Sequence, residues 1–132
     1  MKITTGNFAN VKKYKTAGYV PVSIALSARY FTGLVYRLLN PEWIYKDDPE
    51  ISYTKKFNSK LEKLNPEQVY KDLEKLSNGR PVVLCCHENK DEFCHRHLVA
   101  RWLEKKLNIV VEELGKMEKV KEELLFEPVG LA

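Results

Sequence analysis

The distribution of apolar and polar positions along the chain predicts strands that alternate with helices. The clearest strand is at residues 81–86, which are apolar and largely β-branched, with glycine or polar residues on either side. Residues 19–26 are almost continuously apolar, as in a strand that is covered on both faces. Two shorter strands are predicted, one at residues 2–5 before Gly6 and one at residues 109–111.

Helical spacing of apolar residues accounts for most of the segments between these strands. Asn65-Pro66 gives a capping side chain followed by a proline in the first helical turn, and Asn78-Gly79 ends the same helix. Further helices are predicted, in chain order, at residues 8–14, 34–39, 52–64, 92–107 and 115–125.

This alternation predicts an α/β fold, a single three-layer domain with a small, mostly parallel sheet flanked by helices. The domain is expected to span residues 1–132, with a core at about residues 2–111 and a C-terminal helical tail at residues 112–132. Right-handed crossovers bring the carboxyl ends of parallel strands to one edge of the sheet. Open α/β sheets bind their ligands at that edge, so we expect the site there.

Composition narrows the class of protein. The chain is 44% hydrophobic and 30% charged, which is ordinary for a globular domain, and it has no apolar run near the ~20 residues of a spanning helix. The N-terminus lacks the apolar segment of an export signal, and three cysteines are too few for a disulfide framework. We therefore expect a reducing, cytoplasmic setting, no membrane partner and no cofactor. Composition gives no indication of the oligomeric state.

The formal charge is +4, from 22 basic and 18 acidic residues. This balance permits an anionic partner, either a small molecule or a nucleic acid, without demanding one. Lysines occur throughout the chain and acidic residues are mixed among them, which is typical of a solvated surface rather than of a nucleic-acid patch.

Polar side chains follow three of the predicted strands and open the helix at residues 92–107. The candidates for one site are Thr5, Arg29, Cys86, Glu88, Cys94, His95 and Arg96. A helix N-terminus offers free N–H groups and a partial positive charge, so an anion such as phosphate can bind there. Arg96 and Arg29 would add planar, bidentate donors, and Thr5 would assist them. We therefore assign ligand binding to these three residues.

The remaining candidates carry the possible catalytic chemistry. Cys94, near the start of its helix, is a candidate thiolate nucleophile with a lowered pKa. His95 or His87 could serve as its base, and Glu88 could orient a histidine or work as an acid. Cys86 completes this catalytic group. We expect Cys86 and Cys94 to approach each other across the strand end and the helix start.

Zinc is an alternative use of the same cysteines. Cys86, His87 and Cys94, together with His95 or His97, supply enough soft ligands for the ion. The separation between the two cysteines is wider than in a CxxC knuckle, and the chain has no second CxxC pair. We therefore predict no metal site and no stoichiometric zinc. Cys85, at an inner strand position, is expected to belong to the core.

Residues 83–88, Val-Leu-Cys-Cys-His-Glu, are followed by Phe-Cys-His-Arg-His-Leu-Val-Ala at residues 93–100. This pattern resembles the signature of the domain of unknown function 488 family, in which an apolar strand ends in Cys-x-Glu and Cys-His-Arg opens a helix. The matching positions are Cys86, Glu88, Cys94, His95 and Arg96.

The resemblance extends over most of residues 2–111. Residues 3–9 are similar to the family's N-terminal pattern, and residues 20–24 are similar to its shorter phage- and bacterium-type members. Many larger members place Asp-Val-Arg near the second strand, where this chain has Ser23-Ile24-Ala25. The resemblance implies a shared site and names no reaction or substrate.

These observations lead to one main hypothesis and two alternatives. The main one is a small α/β enzyme or enzyme-like domain that acts on an anionic, phosphate-bearing ligand such as a nucleotide or a nucleic acid. The first alternative is a non-catalytic module that binds the same kind of anion. The second is a structural domain with a Cys/His metal cluster.

Overall fold

A five-stranded parallel sheet forms the centre of the protein, and helices cover it, so the predicted α/β class is confirmed. The computed structural model describes residues 1–27, 31–88 and 93–115. In these ranges the strands are β1 (Ile3–Asn7), β2 (Val20–Ser23), β3 (Leu34–Val35), β4 (Val82–Cys86) and β5 (Glu112–Glu113). The α-helices are α1 (Val11–Thr16), α2 (Glu50–Glu62), α3 (Pro66–Ser77) and α4 (His95–Leu107).

The strand order β3-β2-β4-β1-β5 places β4 at the centre of the sheet. Asn7 in β1 is in register with Cys86, and Ser23 in β2 is in register with Cys85. The carboxyl ends of these three strands therefore lie side by side at one edge of the sheet, where parallel α/β sheets carry their sites.

Alternate residues of β4 face two different layers. Val82 and Leu84 belong to a large core cluster with residues of α2, α3 and α4. Val83 and Cys85 belong to a smaller cluster on the other face, together with Tyr14 from α1. The fold thus has three layers, and Cys85 is a core residue as predicted.

Local signals determine where α3 begins and ends. The Asn65 side chain accepts a hydrogen bond from the Gln68 backbone N–H at 3.1 Å, and Pro66 occupies the first turn. Asn78 at the C-terminal end adopts the left-handed conformation, with φ of 54°. Both ends therefore agree with the sequence-based prediction.

Two predicted elements were wrong, and both lie at an edge of the sheet. Residues 34–39 form β3 followed by a 3-10 turn at Arg37–Leu39, because Leu34 pairs with Val22 of β2 instead of continuing a helix. The last strand is not at residues 109–111 but at β5, where Thr4 and Thr5 provide the pairing partners.

The first helix also starts later than predicted, since Phe8–Asn10 forms a 3-10 turn before α1. The predicted tail helix at residues 115–125 lies outside the described residues, apart from Gly115. Among the described helices, none has the length and apolar character needed to cross a membrane.

Candidate functional site

A cleft of about 330 Å³ opens beside the carboxyl ends of β2 and β4. Cys86, Cys94 and His95 are among the residues that line it. Aromatic side chains from the segment before α2, from α2 itself and from the residue before Cys94 also line it: Trp43, Tyr53 and Phe93. The cleft therefore combines sulfur and imidazole groups with flat apolar walls.

The two cysteines of the cleft come from consecutive elements. Cys86 is the last residue of β4, and Cys94 is the N-cap of α4. Their sulfur atoms are joined as a disulfide, and their Cα atoms lie 7.6 Å apart. The prediction that Cys86 and Cys94 approach each other is confirmed, because parallel topology brings the end of β4 to the start of the next helix.

The Cys94 sulfur caps helix α4. The Arg96 backbone N–H donates to the Cys94 Sγ atom at 3.5 Å, in the manner of the serine or aspartate oxygen that usually occupies this position. A helix N-terminus stabilises negative charge, and for reduced Cys94 this effect opposes the cost of burying a thiolate.

His95 is buried beneath the cleft in one defined tautomer. Its Nε2 atom lies 2.6 Å from the Ile24 carbonyl oxygen, which can only accept, so Nε2 carries the proton. Its Nδ1 atom lies 3.7 Å from the Cys94 Sγ atom and presents a lone pair to the sulfur. Burial lowers the pKa of His95 from 6.5 to about 4, and the ring is therefore neutral near pH 7.

Arg96 is fully buried and does not line the cleft. Its Nε and Nη2 atoms donate to the two carboxylate oxygens of Glu113, at 2.9 and 3.3 Å. Its Nη1 atom donates to the Glu88 carbonyl oxygen at 2.7 Å and to the Cys86 Sγ atom at 3.1 Å. Arg96 thus lies behind the Cys86 sulfur, and its predicted contact with a ligand stays a prediction that the cleft does not support.

Glu113 is the buried ion-pair partner of Arg96, and sequence analysis did not identify it. Besides Arg96, it accepts a hydrogen bond from the Thr5 hydroxyl at 2.7 Å and one from the Gly115 backbone N–H at 3.2 Å. Thr5 is likewise buried and lies outside the cleft lining, so its contact with a ligand stays a prediction that the cleft does not support. A buried arginine requires a paired carboxylate, and this requirement is the one signal that could have indicated a carboxylate partner for Arg96.

Two other residues of the predicted site lie at the cleft, and one falls outside the described residues. Glu88 lines the cleft and is half-buried. His87 is exposed, and its Nε2 atom lies 2.9 Å from the Ser27 carbonyl oxygen. Arg29, predicted to bind the ligand, lies outside the described residues.

The described lining of the cleft carries more negative than positive side chains. Asp48, Glu50 and Glu88 contribute carboxylates, and Lys46 contributes an ammonium group. The Lys46 Nζ atom lies 5.7 Å from the centroid of the Trp43 ring. These charges disfavour a small multivalent anion bound by charge alone.

Cys86, Cys94 and His95 are also a set of potential metal ligands. One ligand atom from each lies within 4.8 Å of the others, and all three residues are buried. The sequence-based zinc alternative named His87 together with His95 or His97, and of these three histidines His95 is the one that belongs to the set found among the described residues.

Comparisons with known proteins identify one family. A family model, DUF488-N3a, described as the active DUF488-N3 subclade, matches residues 34–107. This range includes β4, α4 and all three cysteines. No curated protein and no solved structure matches the chain.

Proposed function

This chain belongs to the DUF488-N3a family, and from that premise we propose that it is an enzyme that binds a nucleotide in the cleft and reacts with it at the Cys86, Cys94 and His95 cluster. One observation carries the proposal: the cleft brings this cluster together beneath aromatic side chains. The word "active" in the description of the family agrees with a reacting site.

Aromatic surface supports a flat ligand. The Trp43 side chain is 65% exposed although it lines a concave site, and the Tyr53 and Phe93 rings pack edge to face at 5.2 Å. Nucleobases stack on such rings with about 1–3 kcal/mol per base. We assign the base to this aromatic wall and the phosphate to Lys46 at its side, so that base stacking offsets the repulsion from the carboxylates of the cleft.

The contacts of the two sulfurs favour thiolate chemistry. Cys94 lies at a helix N-terminus, and the His95 Nδ1 atom is placed to accept its proton. The resulting imidazolium is stable only while the thiolate stands beside it, because burial opposes an isolated charge on His95. The buried guanidinium of Arg96 favours the thiolate of Cys86. The Cys-His-Arg motif would thus supply the nucleophile, its base and a positioning cation.

Glu88 completes the proposed catalytic group. Its side chain lies at the cleft, whereas its main-chain carbonyl is held by Arg96. We assign to its carboxyl group the transfer of a proton to the leaving group of the bound ligand. Reduced thiols are required for this chemistry, so we place the protein in the cytoplasm, where thiols are kept reduced.

The test is a titration followed by NMR of the backbone amides near the cleft. Nucleoside monophosphates, the matching nucleosides and inorganic phosphate are added separately to reduced protein. Trp43→Ala is expected to weaken nucleotide binding by roughly tenfold or more, from the loss of stacking. Ile44→Ala is the matched control, because Ile44 is the neighbouring residue, is 87% exposed and is not among the residues that line the cleft.

The outcomes separate this proposal from the alternatives. Phosphate shifts as large as those of the nucleotides would refute recognition of the base. Nucleotide binding that Cys94→Ser leaves intact, with no turnover by the wild type under any condition, would make the domain a recognition module rather than an enzyme.

A further inference from the structure

We infer that Cys86, Cys94 and His95 form a zinc site when both cysteines are reduced, with two sulfurs and the His95 Nδ1 atom as ligands and a fourth position open to the cleft. The site stands on the geometry of these side chains. Its catalytic use rests on the proposed binding of a nucleotide, with a zinc-bound water in place of the Cys94 nucleophile and the His95 base. The inference departs from the expectation of no zinc, because that expectation relied on spacing along the chain and the fold brings these three ligands together.

The distance between the Cys94 sulfur and the His95 nitrogen suits two ligands of a tetrahedral ion. Zinc binds sulfur at about 2.3 Å and nitrogen at about 2.0–2.1 Å, so two ligands of one ion stand roughly 3.5–3.8 Å apart. The Cys94 Sγ atom lies 3.7 Å from the His95 Nδ1 atom, and all three ligand atoms lie within 4.8 Å of one another.

The backbone spacing of the cysteines also leaves room for an ion. The Cα atoms of Cys86 and Cys94 lie 7.6 Å apart, whereas most disulfides join Cα atoms about 4.4–6.8 Å apart. After reduction the two sulfurs can separate to the distance that a shared ion requires while β4 and α4 stay in place.

Each ligand already has the supporting hydrogen bond that zinc sites commonly show. The His95 Nε2–H group donates to the Ile24 carbonyl oxygen at 2.6 Å, which directs the unprotonated Nδ1 atom toward the sulfurs. Arg96 donates from its side chain to Cys86 at 3.1 Å and from its backbone to Cys94 at 3.5 Å. Such donors orient thiolates and moderate their charge.

Charge balance favours a divalent ion over two free thiolates. Cys86 and Cys94 are almost completely buried, and two unpaired negative charges at such positions are costly. A divalent ion with two thiolates and one neutral imidazole carries no net charge. Two sulfur ligands and one nitrogen ligand select zinc over magnesium or calcium, which prefer oxygen.

Three protein ligands with an open fourth position are typical of catalytic rather than structural zinc. Since Cys86, Cys94 and His95 all line the cleft, a water molecule on the ion would face the bound ligand. Zinc lowers the pKa of such a water to about 7. With zinc bound, the water oxygen would form a bond to the electrophilic atom of the ligand, the bond to the leaving group would break, and Glu88 would carry the water's proton to that group.

Oxidation and metal binding exclude each other at this site. Hydrogen peroxide takes two electrons from the two thiolates and two protons from solvent and is reduced to two water molecules, and the disulfide that forms has no thiolate left to bind zinc. The oxidised chain is therefore a matched control that differs from the reduced one only in the sulfur–sulfur bond.

The experiment uses the full chain, reduced with a phosphine, stripped with a chelator and titrated with Co²⁺ and then Zn²⁺. We expect one ion per chain and a thiolate-to-cobalt charge-transfer band that zinc abolishes. Cys86→Ser, Cys94→Ser and His95→Ala should each weaken binding by more than the roughly 10–100-fold that loss of an outer hydrogen bond alone causes. His87→Ala and Cys85→Ala are matched controls, since one side chain contacts Ser27 and the other lies in the opposite core layer.

Circular dichroism of each variant establishes that it is folded before its metal affinity is compared. Failure of reduced wild type to bind cobalt or zinc stoichiometrically would overturn the inference, as would unchanged affinity in folded Cys94→Ser or in the oxidised protein. Nucleotide titration of the stripped protein keeps the two proposals apart. Nucleotide binding without a metal site would overturn only the zinc inference, and a metal site without nucleotide binding would overturn only the proposed function.

Discussion

Replacing Glu113 by glutamine removes the negative charge that faces Arg96 but keeps the size of the side chain. Arg96 is fully buried, and its Nε atom lies 2.9 Å from the Glu113 carboxylate. At an effective dielectric constant of about 20, that attraction amounts to about 6 kcal/mol before desolvation is counted. Removing one partner of a buried ion pair costs about 3–5 kcal/mol, since the other charge stays buried.

We therefore expect Glu113→Gln to lower the free energy of unfolding by about 3 kcal/mol, the lower end of this range, because the amide oxygen still accepts one hydrogen bond. With an m-value of about 1.5 kcal/mol/M, the urea midpoint should fall by about 2 M. Glu112→Gln is the matched control. Glu112 is exposed, and its carboxylate lies 3.9 Å from Lys2, a contact worth less than about 1 kcal/mol.

Urea unfolding followed by fluorescence and circular dichroism measures both variants. Equal midpoint shifts for Glu113→Gln and Glu112→Gln would refute the reasoning, because they would mean that solvent or another group neutralises Arg96. The position assigned to Arg96 behind the Cys86 sulfur would then lose its support.

The remaining predictions concern other parts of the fold. In the protein with the Cys86–Cys94 disulfide the pKa of His95 is about 4, whereas the unfolded chain has the ordinary 6.5. The unfolded state therefore binds more protons between these two pKa values, and the free energy of unfolding should fall by about 3 kcal/mol as the pH drops from above 6.5 to about 4. Urea unfolding at several pH values measures this loss. His95→Ala should remove most of the loss, whereas His87→Ala should leave it unchanged. Gly6→Ala places a methyl group 2.5 Å from the Tyr14 hydroxyl oxygen and should lower the free energy of unfolding by about 1–3 kcal/mol in urea melts. If this clash is the cause, Gly6→Ala should cost nothing when it is introduced into a Tyr14→Ala protein. Asn65→Ala removes the N-cap hydrogen bond of α3 and should lower the free energy of unfolding by about 1 kcal/mol, whereas a change below about 0.2 kcal/mol would show that the cap is dispensable.

The elements that sequence analysis predicted well are those with local signals. The buried β-branched run of β4 and the cap, proline and left-handed asparagine of α3 need no knowledge of the rest of the chain. The two-residue strands β3 and β5 were missed because only hydrogen bonds from β2 and β1 make them strands.

The same distinction applies to the site. The approach of Cys86 and Cys94 follows from parallel topology and a short connection, and it could be predicted. The partner of Arg96 could not be, because Glu113 lies 17 residues further along the chain on an edge strand, next to another glutamate. Without knowledge of that partner, the sequence predicts a ligand-binding role for Arg96.

A helix that begins on a sulfur atom couples the chemistry of that atom to the stability of the domain. Capping by the Cys94 side chain makes α4 sensitive to whether the sulfur is protonated, ionised, alkylated or oxidised. By thermodynamic reciprocity, whatever stabilises α4 also shifts the equilibria of the sulfur by the same free energy. Melting temperature therefore becomes a measure of the state of Cys94, and substitutions remote from the cleft become a means of adjusting its reactivity.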